Sequence, residues 1–295
     1  MLIMRTMDIN LREYLRNHNQ LTWKERIQIT LDIIDALDDI HKEKAIHRDL
    51  HSGNVLHSPR ANRWHISDLG FCGPADKSSN TIYGNLPYIA PEVISGKQTS
   101  FASDTYSIAM LMWEISSGQP PFMNYVYDYN LVMNIINGIR PRIVPETPSE
   151  YESLMKQCWD ADPLKRPDIR ILKKKIREIN LYYQNESNES TQSKANSNLN
   201  INKKCANYTN SRLFTSKVYQ FEQLPEPRNA TEEEQEAFHS KSYDFHIPDN
   251  IDDFDKLNNQ KDSSSIKRSG IFKDNSDRLT KKFKKLQIKY GKSSK

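Results

Sequence analysis

The chain has 295 residues, with 42 Lys and Arg against 38 Asp and Glu and a formal net charge of +4. Residues 185–295 hold 20 of the basic and 16 of the acidic side chains, so this segment accounts for the whole net charge. A neutral first part followed by a weakly basic part argues against a protein built for specific nucleic-acid binding.

The cysteines bear on the cellular compartment. Cys72, Cys158 and Cys205 are widely spaced, show no metal-ligand pattern and fit a reducing environment. No apolar run approaches the length of a membrane span, so no transmembrane segment is expected. We therefore predict a cytoplasmic location, with the nucleus as the alternative.

The first part of the chain alternates predicted helices with one predicted hairpin. Thr22 and Glu25 form a capping box, and apolar residues recur at helical spacing over the next five turns. Two short strands are predicted at 55–57 and 64–67, around a polar turn. Four further helices are predicted at 101–115, 131–136, 151–159 and 169–179.

The motif with the most chemical content is HRDLHSGN at residues 47–54, followed by Asp68-Leu69-Gly70. Three further signatures come after it in order: Ala90-Pro91-Glu92, Ser103-Asp104, and a closing group of Cys158-Trp159, Asp162-Pro163 and Arg166-Pro167. Alone, a His-Arg-Asp tripeptide would be read as a surface turn. In this order the set resembles a eukaryotic protein kinase domain of the tyrosine-kinase-like group.

The resemblance implies an α+β fold of the protein kinase type, consisting mainly of the helical C-lobe. We predict that the kinase domain occupies residues 1–184 and that 185–295 form a low-complexity, mostly disordered tail. In the tail, Thr231 and Glu234 form a second capping box that predicts a short acidic helix reaching Phe238. A basic amphipathic helix is predicted near 277–290, with membrane-surface, nuclear-import, partner-docking or merely solvated readings left open.

The resemblance also implies residue roles and the cofactors ATP and Mg²⁺. Asp49 would be the catalytic base, Arg48 would sense the state of the activation segment (residues 68–92), and Asn54 and Asp68 would be the metal ligands. The remaining implied residues fall into three groups. Adenine contacts are predicted for Leu56, Met4 and Met7, although Leu56 is equally an ordinary core leucine.

Candidate phosphorylation sites in the activation segment are Ser78, Ser79, Thr81 and Tyr83, any of which is otherwise a solvated loop residue. Structural roles are predicted for His47, Glu92, Asp104 and Arg166, the last as the buried ion-pair partner of Glu92.

Three positions depart from the family pattern. Leu69 replaces a Phe of the metal loop, His51 stands where serine/threonine kinases keep a Lys, and Asn85 replaces a Thr that binds the catalytic Asp. None of these changes forbids catalysis. The resemblance favours transfer to Ser or Thr hydroxyls of protein substrates, with Tyr as the second choice. Residues 84–88 lie where the residue flanking the substrate hydroxyl would dock.

No G-x-G-x-x-G pattern occurs in the chain, and Lys42 and Lys44 lie in the wrong element to replace the phosphate-binding Lys of the N-lobe. We therefore expect an N-lobe that is largely missing and weak catalysis by the chain as printed. The alternative is a catalytically inactive, kinase-like scaffold that binds partners, including other kinases, through its C-lobe and tail.

Overall fold

The computed structural model describes residues 9–18, 20–74, 82–186, 215–221 and 224–240. The chain divides into two units, Met1–Ser240 and Lys241–Lys295, and every described residue belongs to the first. The helix predicted near 277–290 lies outside the described residues. The division at residues 184 and 185 stays a prediction.

The secondary structure of the described residues is mainly helical with small sheets. The helices are α1 Leu11–Asn17, α2 Trp23–Lys42, α3 Pro91–Ile94, α4 Phe101–Ser117, α5 Tyr129–Ile136, α6 Ser149–Cys158, α7 Ile169–Glu186 and α8 Glu232–His239. The strands are β1 Ile9–Asn10, β2 Ala45–Ile46, β3 Val55–Ser58, β4 Arg63–Ile66, β5 Gly73–Pro74, β6 Ile82–Gly84 and β7 Lys217–Tyr219. The predicted α+β class is confirmed. No described helix is both long and apolar enough to cross a membrane.

Helix α2 is the long helix predicted from the sequence. Its capping box is present: Thr22 Oγ1 accepts from the Glu25 amide, and Glu25 Oε2 accepts from the Thr22 amide at 2.7 Å. These bonds lower the pKa of Glu25. Ile27, Ile34 and Leu37 recur on one face and are fully buried. That face packs on α7, α4 and β4, so α2 is the central helix of the core.

Helix α4 is buried along nearly its whole length. Ser100 is its N-cap and forms a reciprocal capping box with Ser103. Gly118 ends the helix in the left-handed conformation, with φ of 73°, which a residue without a Cβ adopts at little cost. Two carboxylates on this otherwise uncharged helix, Asp104 and Glu114, are buried beside the 47–54 loop.

The predicted hairpin is also present. β3 pairs antiparallel with β4, with Val55 opposite Ile66, and β1 joins on the other side of β3. Because of this register, the residues before β3 and after β4 emerge at the same end. The Ser67 amide and hydroxyl both donate to the Asn54 carbonyl, at 2.8 and 2.9 Å. The hairpin therefore brings Asn54 and Asp68 to one place.

Two stretches that follow α7 in the chain pack on the helical part. β7 pairs antiparallel with β6, with Tyr83 opposite Val218. Helix α8 has the predicted capping box of Thr231 and Glu234. Its buried Phe238 stacks on Tyr125 with ring centroids 5.3 Å apart.

Candidate active site

A buried carboxylate holds the backbone of the 47–54 loop. Asp104, with 1% of its surface exposed, accepts hydrogen bonds from the amides of His47 at 2.8 Å and Arg48 at 3.0 Å. It also contacts His41 Nε2 at 2.9 Å. Arg48 has a positive φ of 73°, which is unfavourable for a residue with a side chain. The two bonds from Asp104 to successive backbone amides, the second being that of Arg48 itself, stabilise this strained conformation.

His47 ties the loop to the end of the hairpin. Its ring is fully buried, and its Nδ1 accepts from the Asp49 amide at 3.3 Å. The tautomer that fits carries its proton on Nε2, which donates to the Ser67 carbonyl at 3.0 Å. His47 therefore fixes the backbone before Asp68 relative to Asp49.

Asp49 is 4% exposed, and its Oδ1 accepts a hydrogen bond from Ser216 Oγ at 2.8 Å. Burial raises the pKa of Asp49, the charge of Asp68 acts in the same direction, and the Ser216 bond opposes both. A general base needs a raised pKa and a hydrogen bond to the hydroxyl whose proton it takes, and Asp49 has both.

Asn54 and Asp68 lie beside Asp49. Asn54 Nδ2 donates to the Asp49 carbonyl at 2.9 Å, which leaves the amide oxygen available as a ligand. Asp68 is exposed and has a φ of 55°. Amide and carboxylate oxygens suit Mg²⁺, which is usually held by one or two carboxylates together with phosphate oxygens and water. Among the described residues, no group of three or more His, Cys, Asp or Glu side chains could hold a metal ion. A Mg²⁺ site with one or two carboxylates does not require such a group.

The predicted adenine contacts are only partly within the described residues. Leu56 is half-buried in β3, opposite Asn10 of β1 and His65 of β4. Met4 and Met7 lie outside the described part of the chain.

Of the four candidate phosphorylation sites, Ser78, Ser79 and Thr81 lie outside the described residues. Tyr83 is half-buried in β6, and its ring stacks on Phe71 with centroids 3.9 Å apart. Arg48 lies against the start of this segment, because a Cβ on Gly73 would stand 2.6 Å from Arg48 Nη1. A side chain at position 73 would therefore have to displace the Arg48 guanidinium.

The far end of the activation segment is fixed by an ion pair. Arg166 donates from Nη1 to Glu92 Oε1 at 2.8 Å and from Nη2 to Oε2 at 2.7 Å, and both residues are buried. Arg166 also donates to the carbonyls of Asp160 and Ala102, and its guanidinium lies over the Tyr106 ring.

A family model described as protein tyrosine and serine/threonine kinase matches residues 1–176, more than half of the chain. The chain belongs to this protein kinase family. Similar proteins include those called dual serine/threonine and tyrosine protein kinase from Mus musculus, Homo sapiens and Danio rerio, which are 37%, 36% and 34% identical to it over 163 residues. The aligned part is 54% of this chain and 17–18% of those proteins, so the chain spans less than a fifth of their length.

One buried cluster of this kinase chain was not predicted from the sequence. Glu114 is 1% exposed and accepts from Ser52 Oγ at 2.8 Å and from the Tyr88 hydroxyl at 2.5 Å. Arg12 Nε donates to Ser52 at 3.1 Å. Burial raises the pKa of Glu114. The cluster connects α1, the 47–54 loop, α4 and the 84–88 stretch, and the signal for it was an acidic residue within an apolar helix.

The contacts of His51 were also not predicted from the sequence. It is buried, and its Nδ1 accepts from the Gly53 amide at 3.0 Å. Nε2 therefore carries the proton and can donate to Ser216 Oγ, 3.1 Å away. Burial, with Arg12 and His47 nearby, lowers the pKa of His51 to about 3. A neutral imidazole thus contacts the same hydroxyl as Asp49.

Proposed function

We propose that this chain transfers the γ-phosphoryl group of ATP, with Mg²⁺, to serine or threonine hydroxyls of protein substrates. The observation that carries the proposal is the hydroxyl bonded to Asp49, next to two oxygen ligands for a metal. Asp49 orients the acceptor hydroxyl and takes its proton. Asn54 and Asp68 hold the metal, which neutralises phosphate charge when bound.

The other predicted residues support this arrangement. Asp104 and His47 fix the loop backbone, and Glu92 with Arg166 fixes the end of the activation segment. Arg48, packed on Gly73, is positioned to respond to a phosphate on the activation segment. Leu56 provides the floor of the adenine site.

Serine or threonine is the preferred acceptor because the hydroxyl that contacts Asp49 and His51 belongs to a serine. Tyrosine is the second choice, and the relatives' names include both classes.

The test is the melting temperature of the 295-residue chain with and without Mg·ATP. At a hundredfold excess over Kd we expect a rise of about 5–10 °C. Asp68→Asn should abolish the rise. Asp39→Asn, a change to an α2 carboxylate that pairs with Lys42, is the matched control and should retain it. No rise in a folded wild-type sample would contradict nucleotide binding by this chain and favour the scaffold role.

A further inference from the structure

The strongest unexplained feature is a short stretch that contacts the candidate active site from a distant part of the sequence. Residues 215–221 lie against the 47–54 loop and β6, and Ser216 is 167 positions from the Asp49 carboxylate that it binds. We propose that this stretch occupies the peptide-substrate groove of its own kinase domain, with Ser216 in the acceptor position. The inference rests on the proposed function for its chemistry but not for its geometry.

The hydrogen bonds at Ser216 have a consistent direction. The Gly53 amide donates to His51 Nδ1, so His51 Nε2–H donates to Ser216 Oγ, and Ser216 Oγ–H donates to Asp49 Oδ1. The serine proton therefore points at the base, and the Tyr83 side chain also interacts with the Ser216 hydroxyl. This is the arrangement expected of an acceptor hydroxyl before transfer.

The backbone pairing has the form of peptide recognition by strand addition. β7 pairs antiparallel with β6, so Lys217 lies opposite Gly84, Val218 opposite Tyr83 and Tyr219 opposite Ile82. Main-chain bonds of this kind give affinity with little dependence on side chains. The residue directly after Ser216 thus meets the start of the 84–88 stretch, where the flanking residue of a substrate is predicted to dock.

A second stretch holds the first in place. Within 224–240, the Arg228 amide donates to the Ile136 carbonyl at 3.0 Å, and Gln235 Nε2 donates to the Gly138 carbonyl at 2.8 Å. Asn229 Oδ1 accepts from the Ala161 amide at 2.8 Å. Because only residues 222 and 223 separate this anchor from the stretch 215–221 in the sequence, it gives Ser216 the effective concentration of an intramolecular ligand.

Phosphoryl transfer from ATP to Ser216 would form one bond to phosphorus and break another. A bond forms between Ser216 Oγ and the γ-phosphorus, the bond from that phosphorus to the bridging oxygen breaks, and ADP leaves with the electron pair. The proton passes to Asp49 and then to solvent. The product would place nearly two negative charges beside the buried Asp49 carboxylate, so like-charge repulsion should release the stretch from the groove.

Groove occupancy can be tested on the full chain without any nucleotide, by hydrogen–deuterium exchange of residues 82–84. Val218→Pro removes an amide and should raise their exchange rate at least tenfold. Val218→Ala keeps the amide at the same, largely exposed position and should match wild type. Ser216→Asp should also raise the rate, whereas Ser240→Asp, at the end of α8, should not. Equal exchange in wild type and Val218→Pro would overturn the proposal.

The acceptor position is tested by mass spectrometry after incubation with Mg·ATP and an added serine peptide. We expect phosphate on Ser216, none on the adjacent Thr215, and a rate independent of protein concentration. Phosphorylation of the peptide without Ser216 would overturn the acceptor assignment and leave the kinase function intact. If neither is phosphorylated, the kinase function fails, and the exchange experiment alone decides whether the stretch occupies the groove.

Discussion

At the scale of single residues, the candidate site depends on buried charges that are each held by several partners. Asp104 and Arg166 both bond backbone groups as well as side chains. A charge buried in this way is stabilising only while its partners remain, because removal of one partner leaves the other charge desolvated. Stability and site geometry are therefore linked at these positions.

Glu92 and Arg166 allow that link to be measured. We expect Arg166→Met alone to lower the free energy of unfolding by about 3–5 kcal/mol, because Glu92 would remain buried without its partner. The double variant with Glu92→Leu should recover part of the loss, since neither charge is then buried. Urea denaturation of the four proteins of the cycle gives the coupling. Additive losses would show that the pair does not interact as the distances imply.

At the scale of elements, two capping boxes with the same chemistry begin helices of different importance. α2 lies in the core, whereas α8 packs on the outside through Phe238. Removal of an N-cap side chain costs about 1 kcal/mol in either helix. The consequences for the molecule should differ because only α2 is part of the cooperative core.

We expect Thr22→Ala to lower the global free energy of unfolding by about 1 kcal/mol. Thr231→Ala should leave global unfolding unchanged and raise amide exchange within α8 only. Each variant is the control for the other, with urea denaturation and hydrogen exchange as the measurements. A loss of global stability in Thr231→Ala would mean that α8 unfolds together with the core.

Docking of α8 should weaken in mild acid. Burial lowers the pKa of His239 in the docked state, Arg142 acts in the same direction, and the bond to the Arg140 carbonyl opposes them. In the undocked helix, His239 has an ordinary pKa of about 6.5 and therefore binds more protons than in the docked helix. Docking is strongest above about pH 6.5 and weakens as the pH falls below that value. Exchange in α8 should rise between pH 7.5 and 5.5. His239→Gln should remove this dependence, and its persistence would assign it to another group.

At the scale of the whole molecule, the anchor of residues 224–240 should hold the stretch 215–221 in the peptide-substrate groove. Asn229→Ala removes bonds to the Ala161 amide and to Asp160. We expect this change to reduce phosphorylation of Ser216 while phosphorylation of an added peptide stays the same or increases. Asn17→Ala, an exposed change at the end of α1, serves as the control. A parallel loss of both activities would show damage to the catalytic site rather than loss of the anchor.

Much of the fold could be predicted because its signals are local. The periodicity and capping of α2, the turn between β3 and β4, and the apolar stretch of α4 each lie within about twenty residues of sequence. α7 was predicted to end at 179 but continues to Glu186, since its packing on α2 includes a bond from Asn180 to Gln28. Tertiary contact extended a helix beyond its local signal.

The sequence by itself determined the family and the order of the main helices around the β3–β4 hairpin, and it singled out Asp49, Asn54 and Asp68 as candidate site residues, because motif spacing and periodicity are properties of neighbouring residues. Only the tertiary structure placed Ser216 on Asp49 and Glu114 beneath Ser52. The region from 185 onward has too few apolar residues to predict packing, and the contacts of its described residues include strand pairing, hydrogen bonds to backbone groups and the stacking of Phe238 on Tyr125. Such contacts depend on where the partner surface lies in the folded protein, and amino-acid composition does not specify that location.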